Sequence, residues 1–416
     1  MKVTFNKGIY HVLATIILVL VAITVAMSTV SATDYYISPN GDDVNNGLSN
    51  YNYKQSISNV TTTANSGDTI YLTNGVYNGF NNRGIIIDKN LSFIGESMED
   101  TIIDAGKNGR MFTILPDCIV IFTNISFING YDVDGGAIYN KGGFLTINSC
   151  RFENNTATTR GGAVFNEWTY GVNIENTVFN KNTAGVSGGA VYNFYGDIIT
   201  IFESIFNSNK AITASGGAVF NERGNNFNIK SSTFKNNAAT VHGGAVYNFY
   251  GNNFSIKSVC FDSNYATKSG GAIFNEHGHE FSIDCSSFTK NKADFSGGAL
   301  YTFHGDKVTL TRNSFTQNEA GNSGGAVFNE HGDDFNVSLS SFEKNTADNC
   351  GGAVYSFHGD KFTLDTATFT KNSAGNSGGA VFNEHGDNVK TTLTVFTKNT
   401  AKSGKDIYNF HGNTIS

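Results

Sequence analysis

A repeat of 27 residues organises most of this chain and constrains its fold more than any other feature. Gly-Gly pairs recur with gaps of 26, 27, 28 and then 27 residues throughout. A second marker, Phe-x-x-Asn, recurs with gaps of 27 residues and a single gap of 28, between Phe206 and Phe234. A regular period of this length is typical of solenoid proteins, in which each repeat packs on the next. The pairs begin at Gly135, Gly161, Gly188, Gly216, Gly243, Gly270, Gly297, Gly324, Gly351 and Gly378.

Each repeat has the pattern of short β-strands. Apolar and polar residues alternate in runs such as Phe335–Leu339, as they do in a strand with one buried face. Clusters of Gly, Asn and Asp separate the runs, as turns require. Such a unit buries its apolar face only by stacking, so each residue should pair in parallel with its counterpart one repeat later, at about 4.8 Å per coil. The sequence therefore predicts an all-β protein: a single right-handed parallel β-helix of about 14 coils, with 27 residues per coil.

Several columns of like residues follow from this stacking. An aliphatic residue such as Val327 and then an aromatic residue such as Phe328 come after each Gly-Gly-Ala. Because neighbouring strand residues face opposite ways, one of these columns faces the core, and the sequence leaves open which one. Two columns of Asn, one of them containing Asn318, should hydrogen-bond from coil to coil. Glu330 and its counterparts recur on alternate coils, which we expect to keep like charges apart.

The chain divides into three segments. Residues 1–32 contain Lys2 and Lys7, an apolar run over 12–26 and small residues at 30–32, the layout of a secretory signal peptide. An uncleaved membrane anchor is the alternative. Residues 33–130 are predicted to form irregular β-helix coils and an N-terminal cap, with a short helix within 54–65. Residues 131–416 carry the regular repeat.

Composition excludes some partners. With 28 basic and 35 acidic residues, the chain offers no concentrated basic face, so we expect no nucleic-acid partner. Membrane contact is expected only through the signal segment, if it is not cleaved. Five irregularly spaced cysteines are interpreted as scattered core thiols, with one disulfide as the alternative. They are Cys118, Cys150, Cys260, Cys285 and Cys350.

One column contains candidate metal ligands. His recurs at intervals of 27 residues in five successive repeats, so neighbouring rings should lie about 5 Å apart. Such a column can bind metal or respond to pH, but we favour a stack of solvated turn residues and predict no cofactor. The candidates are His277, His304, His331, His358 and His385, followed by His411 after 26 residues.

A catalytic site should break the repeat, because chemistry happens at one place. The Asp residues after His-Gly obey the repeat instead, so we interpret them as turn residues: Asp306, Asp333, Asp334, Asp360 and Asp387. Irregular charged residues occur earlier, at Asp100, Asp104, Lys107 and Arg110. Turn and cap roles suit these residues better than catalysis, and no catalytic residue is predicted.

Six Asn-x-Ser/Thr sequons permit N-glycosylation if the host performs it. In a chain so rich in Asn, some of them are expected by chance. The acceptor candidates are Asn59, Asn90, Asn124, Asn154, Asn253 and Asn336.

The repeat motif also resembles known families. Gly-Gly-Ala followed by an aliphatic residue, an aromatic residue and Asn, with Phe-x-x-Asn in every unit, resembles the repeats of chlamydial polymorphic outer-membrane proteins. With its signal segment and the start YYISPNG at Tyr35, the chain is similar to adhesin-like β-helix proteins of methanogenic archaea. The resemblance covers Asp34 to Ser416 and implies a pectate-lyase-like fold, surface exposure and adhesion.

These observations predict an exported, secreted or cell-surface β-helix that binds surface glycans, other cells or wall polymer and is not an enzyme. One alternative is a polysaccharide lyase, hydrolase or epimerase with an irregular site within 80–130, because the same fold carries such enzymes. A second alternative is a structural surface component that self-associates end to end.

Overall fold

The protein is a right-handed parallel β-helix of about 13 turns. A computed structural model describes residues 32–412, so the predicted signal segment lies outside the described residues except for Ala32. Every strand pairing in the four sheets is parallel and joins one turn to the next, for example Phe288 to Phe315 and Phe315 to Phe342. The predicted fold and the 27-residue interval are therefore confirmed, and the longest sheet has 14 strands.

Sheet 1 begins each turn and carries the aliphatic–aromatic–Asn motif. Its strands within the described residues are Ile85–Ile87, Phe112–Ile114, Ile138–Lys141, Val164–Glu167, Val191–Phe194, Val219–Glu222, Val246–Phe249, Ile273–Glu276, Leu300–Phe303, Val327–Glu330, Val354–Phe357, Val381–Glu384 and Ile407–Phe410.

Sheet 2 comes next along each turn and also includes the first strand of the rod. Its strands are Asp34–Ile37, Asp68–Leu72, Leu91–Gly95, Ile119–Thr123, Phe144–Asn148, Val172–Glu175, Ile199–Phe202, Phe227–Lys230, Ser255–Lys257, Ser282–Asp284, Thr309–Thr311, Asn336–Ser338, Thr363–Asp365 and Lys390–Thr392.

Sheet 3 carries the Phe of Phe-x-x-Asn. Its strands are Gly75–Tyr77, Thr101–Asp104, Ser126–Ile128, Arg151–Glu153, Val178–Asn180, Ile205–Asn207, Thr233–Lys235, Cys260–Asp262, Ser287–Thr289, Ser314–Thr316, Ser341–Glu343, Thr368–Thr370 and Val395–Thr397.

Sheet 4 closes each turn before the Gly-Gly pair, and most of its strands are only two residues long. They are Tyr131–Asp134, Thr156–Arg160, Thr183–Ala184, Lys210–Ala211, Ala238–Ala239, Tyr265–Ala266, Lys292–Ala293, Glu319–Ala320, Thr346–Ala347 and Ser373–Ala374.

The predicted short helix is present at Ile57–Thr63, and a 3₁₀ turn follows at Phe80–Asn82. Ile57 and Val60 of the helix are fully buried in the main core. The helix packs against the first strand of the rod and against Ile85–Ile87.

Stacked side chains fill the interior of the rod. In sheet 3 the Phe rings from Phe152 to Phe396 stack with centroids 4.6–5.1 Å apart. In sheet 1 the aliphatic column belongs to this same core, whereas the aromatic column forms a second buried cluster on the opposite face of the sheet. The outward rings stay buried because each one is covered by the rings of the turns above and below it.

Both predicted Asn columns form hydrogen-bonded ladders. In the turn after sheet 3, the Oδ1 atom of Asn345 accepts from the backbone N–H of Asn318 at 3.0 Å and from its Nδ2 at 2.9 Å. The same arrangement repeats from Asn155 to Asn399. After sheet 1, Asn221 Nδ2 donates to Asn248 Oδ1 at 2.7 Å. The ladders thereby satisfy most of the buried amide groups of these Asn side chains, as a stable interior requires.

The two-turn period of Glu has a role beyond charge separation. From Tyr139 to Tyr355, the hydroxyl of each Tyr in the aromatic column donates to a Glu one turn later, as Tyr301 does to Glu330. The other pairs are Tyr139–Glu167, Tyr192–Glu222, Tyr247–Glu276 and Tyr355–Glu384. The structural unit along sheet 1 is therefore a pair of turns.

The Gly-Gly pair is required by the approach of consecutive turns. Gly297 has φ +64°, which side chains rarely adopt, and a Cβ on Gly298 would lie 2.1 Å from the carbonyl oxygen of Gly325. No side chain fits at that distance.

Candidate functional site

A continuous column of planar side chains runs along the turn between sheets 1 and 2. We call it the ring column. Each member lies seven residues after the first Gly of a Gly-Gly pair, or, for His411, of the last turn. Each has a φ between 51° and 59°, so the tight turn repeats with one backbone geometry. The members are Trp168, Tyr195, Arg223, Tyr250, His277, His304, His331, His358, His385 and His411.

The members of the ring column stack face to face. Trp168 and Tyr195 have centroids 4.3 Å apart, and Tyr250 and His277 are 4.5 Å apart. The guanidinium of Arg223 lies 5.2 Å from the Tyr195 ring and 5.6 Å from the Tyr250 ring, so it continues the stack between two aromatic rings. The column is half-buried to exposed, and it therefore presents ring edges to solvent along the regular part of the rod.

The predicted His candidates all belong to the ring column. Their ring centroids are 4.7–5.2 Å apart and nearly parallel. Burial, and then the neighbouring histidines His304 and His358, lower the pKa of His331. Among residues 32–412, no three His, Cys, Asp or Glu side chains lie close enough to hold one metal ion. Stacking is therefore the role that the geometry supports for these rings.

A polar ladder lies beside the ring column, two residues further along each turn. Asp306 Oδ1 accepts from the backbone N–H of Asp333 at 3.1 Å, and Asp333 Oδ1 accepts from that of Asp360 at 2.8 Å. The ladder continues from Asp197 at one end to Asp387 at the other. These carboxylates hold the turns together, as their repeated spacing predicts.

The irregular charged residues Asp100, Asp104 and Lys107 lie in turns of the N-terminal segment, and the first two make local hydrogen bonds. Asp100 bonds to Ser97 in its own turn, and Asp104 accepts from Gly106 N–H and from Asn129 Nδ2. Lys107 is exposed and has φ 58° in a tight turn. The geometry gives these residues turn-forming roles.

Arg110 instead joins a charged cluster that the sequence did not reveal. Its guanidinium donates to the carbonyl oxygens of Gly135 and Asp134 and lies 3.1 Å from Asp132 Oδ1. Arg160 makes two bonds to the Asp134 carboxylate, at 3.0 and 2.9 Å. The positive and negative groups are paired with one another, so the cluster stabilises the junction between the irregular and the regular turns.

A shallow groove of about 420 Å³ crosses the outer face of sheet 3 over four turns. Arg151 and Glu153 lie at one end and Lys235 at the other, and Val178 and Ile205 form apolar walls between them. Inside it, Asn207 Nδ2 donates to Asn180 Oδ1 at 2.9 Å, and Asn180 Nδ2 donates to Glu153 Oε1 at 2.8 Å. Its lining contains a single carboxylate, whereas glycoside hydrolysis ordinarily uses two.

The sequons differ in accessibility. Asn154 and Asn253 are exposed in tight turns. Asn59 accepts from Lys54 Nζ, and Asn90 accepts from the backbone N–H of Ile119. Asn336 is half-buried and donates to the Asp334 carbonyl. Modification stays a prediction, and the exposed pair Asn154 and Asn253 are the most accessible of these five.

All five cysteines are unpaired. The core interpretation is right for Cys118 and Cys150, which are buried, but wrong for Cys285, which is exposed. Cys285 has φ 50° in the turn after a sheet 2 strand, where it accepts from Arg312 Nε at 3.1 Å.

Comparison with known families finds the repeat. Six segments match the repeat of the Chlamydia polymorphic membrane protein: 149–167, 176–193, 231–248, 258–276, 340–356 and 366–384. That part of the resemblance is confirmed, and the likeness to archaeal adhesin-like proteins stays a prediction. None of the curated protein sequences matches this chain.

Solved structures with low sequence identity resemble the chain. A family 28 exopolygalacturonase from Yersinia enterocolitica is 9% identical, over 93% of this chain and 79% of that chain, with a TM-score of 0.45. A GH87 α-1,3-glucanase from Streptomyces thermodiastaticus is 12% identical, over 94% and 70%, with a TM-score of 0.45. Pectate lyase Pel9A is 14% identical, over 93% and 80%, with a TM-score of 0.35. Across residues 32–412, no helix has the length and apolar character needed to cross a bilayer.

Proposed function

We propose that this chain is an exported cell-surface protein that binds extended, repetitive partners such as glycans, other cells or wall polymer, and that it is not an enzyme. The ring column carries the proposal. It offers one turn geometry ten times over, at the spacing of the strands, about 4.8 Å per turn. A surface with this period suits a polymer that contacts many turns weakly, because linked weak contacts add up to strong attachment.

The chemistry of the surface supports binding over catalysis. The carboxylates of the polar ladder are engaged in bonds between turns, as Asp333 is, and the Glu residues of sheet 1 accept from Tyr hydroxyls. The groove on sheet 3 pairs apolar walls with amides, a combination that suits contact with a polar, ring-containing polymer.

The direct test is binding of the purified full-length chain to a glycan array, to whole cells and to isolated wall polymer. The matched control is the same preparation after heat denaturation, which keeps composition but removes the columns. Saturable binding by the folded chain alone is the expected result. Cleavage or epimerisation of a polysaccharide would contradict the proposal and favour the enzyme alternative. Filament formation with no binding to any of the three surfaces would favour the structural alternative.

A further inference from the structure

The ring column ends at a glycine, and the turn beside this end breaks the repeat. Lys141 pairs with Glu167 in sheet 1, so Gly142, the next residue, lies one turn below Trp168. Gly142 is also seven residues after its Gly-Gly pair, in the position that a ring or guanidinium occupies in every later turn. Pro116 lies one turn further down, since a Cβ on Gly142 would be 3.6 Å from Pro116 Cβ and 3.6 Å from the Trp168 carbonyl oxygen.

One face of the Trp168 indole is therefore uncovered. Its other face stacks on Tyr195, and among the described residues no ring stacks on the face that points towards Gly142. The side chain is 54% exposed, and Tyr170 nearby is 70% exposed. Both are large apolar groups that solubility alone would not place there.

The turn that holds Trp168 also carries an unsatisfied polar pair. In the other turns of the ring column a Gly follows the ring residue. In most of them its carbonyl accepts from Asn, as Gly196 does from Asn193 Nδ2 at 2.7 Å. Thr169 replaces that Gly. As a result, the fully buried atoms Asn166 Nδ2 and Thr169 Oγ1 have no hydrogen-bond partner among the described residues. Buried polar groups without partners lower stability, so this turn departs from the repeat at the expense of stability, as functional sites often do.

The dimensions of the gap match one ring. Two turns separate the planes of Trp168 and Pro116, or about 9–10 Å. A ring placed midway would lie about 5 Å from each plane, and members of the column stack at comparable separations, for example 4.3 Å for Trp168 and Tyr195. We call the gap between Trp168 and Pro116, which is lined by the backbone of Gly142, the Trp168 slot.

We propose that the Trp168 slot binds a neutral sugar ring of a β-linked glycan, stacked between the indole and the proline. A pyranose with equatorial hydroxyls, as in β-linked glucose or N-acetylglucosamine, has two flat C–H faces that suit two apolar walls. Its hydroxyls point outward in the ring plane, and Lys141 and Asp117 are the chain neighbours of Gly142 and Pro116. One cation and one anion at the rim favour a neutral ligand over a charged one. The inference rests on the proposed function and assigns it a site.

The chain supplies its own reporter, because Trp168 is its one tryptophan. We expect cellohexaose or chitohexaose to change the Trp168 fluorescence of the full-length chain in a saturable manner. An absence of change with both sugars, up to about 10 mM, overturns the slot. This readout uses the unmodified protein and needs no variant to fold.

Variants then locate the binding. In calorimetry, Trp168→Ala should weaken the affinity by about two- to tenfold, since it removes one of the two stacking walls. Trp168→Tyr should restore most of it. The matched control is Phe295→Ala, which removes a 57% exposed ring that lies outside the ring column, and it should bind like the parent. Equal binding by Trp168→Ala and the parent would overturn the slot. If the Trp168→Ala chain still binds the glycan array, the proposed function holds but does not depend on the Trp168 slot. If the parent protein binds no glycan, cell or wall polymer, both the slot and the proposed function are wrong.

Discussion

Replacing one Asn of the ladder after sheet 3 should cost more stability than its size suggests. Asn318 is fully buried, and its Oδ1 accepts from the backbone N–H of Asn291 and from Asn291 Nδ2, both at 3.0 Å. Its Nδ2 donates to Asn345 Oδ1 and to the carbonyl oxygen of Phe288, both at 2.9 Å. One amide therefore links three consecutive turns.

In Asn318→Ala, the groups left behind determine the loss. The Asn291 backbone N–H loses its acceptor, and the Phe288 carbonyl loses its side-chain donor. Asn291 Nδ2 and Asn345 Oδ1 each keep another bond. Two groups at about 1–3 kcal/mol each predict a decrease of about 2–6 kcal/mol in the free energy of unfolding. The exposed Asn376→Ala, which removes only surface bonds, should change stability by about 0.5 kcal/mol or less.

Urea unfolding followed by circular dichroism measures the difference, and hydrogen exchange locates it. Exchange of the Asn291 N–H should accelerate in Asn318→Ala, while the Asn345 N–H, which donates to Asn372 Oδ1, should stay protected. A change in stability of less than about 1 kcal/mol, or equal exchange at both amides, would refute the argument that the ladder stabilises each turn through its neighbours.

Three further predictions concern single positions. His242, whose pKa burial lowers to about 4, stays neutral in the fold while the unfolded chain takes up a proton below its ordinary pKa. Its contribution to stability is therefore lost as pH falls from about 6.5 to 4. In His242→Ser, the urea concentration at the unfolding midpoint should depend less on pH over that range. The same pH dependence in the variant and the parent would contradict this. Burial raises the pKa of Glu330, so this group weakens the fold as pH rises through that pKa, and Glu330→Gln, which still accepts from Tyr301, should gain stability relative to the parent at pH 7 but not at pH 4. Gly298→Ala should abolish soluble expression or lower the unfolding free energy by several kcal/mol, because its Cβ would lie 2.1 Å from the Gly325 carbonyl oxygen; a stable, soluble variant would disprove the need for close turn packing there.

The sequence alone was enough to predict the architecture, because a solenoid pairs each residue with its counterpart one repeat later. The interval of 27 residues, the Asn ladders and the turn-forming role of Asp333 all follow from that rule and from side-chain chemistry. The short helix at Ile57–Thr63 was likewise predictable from local pattern.

The ring column was only half visible in the sequence. Identical residues draw attention, so the histidines stood out, whereas Trp168, Tyr195 and Arg223 differ in type and share only their distance from the Gly-Gly pair. Comparing the residues that lie seven positions after the first Gly of each pair would have identified them. The charged cluster around Arg110 could not be found this way, because its strand Tyr131–Asp134 pairs with a shift of register.

The order of residues alone determined the interval between repeats. It therefore also determined that equivalent residues of successive turns stack on one another, because backbone pairing in a parallel coil depends only on that interval. Tertiary structure decided which side of sheet 1 each column faces, that Tyr301 donates to Glu330, and that Gly142 leaves the Trp168 indole with an open face. Those outcomes depend on how side chains from different turns fill space beside one another, and a linear pattern does not specify that packing.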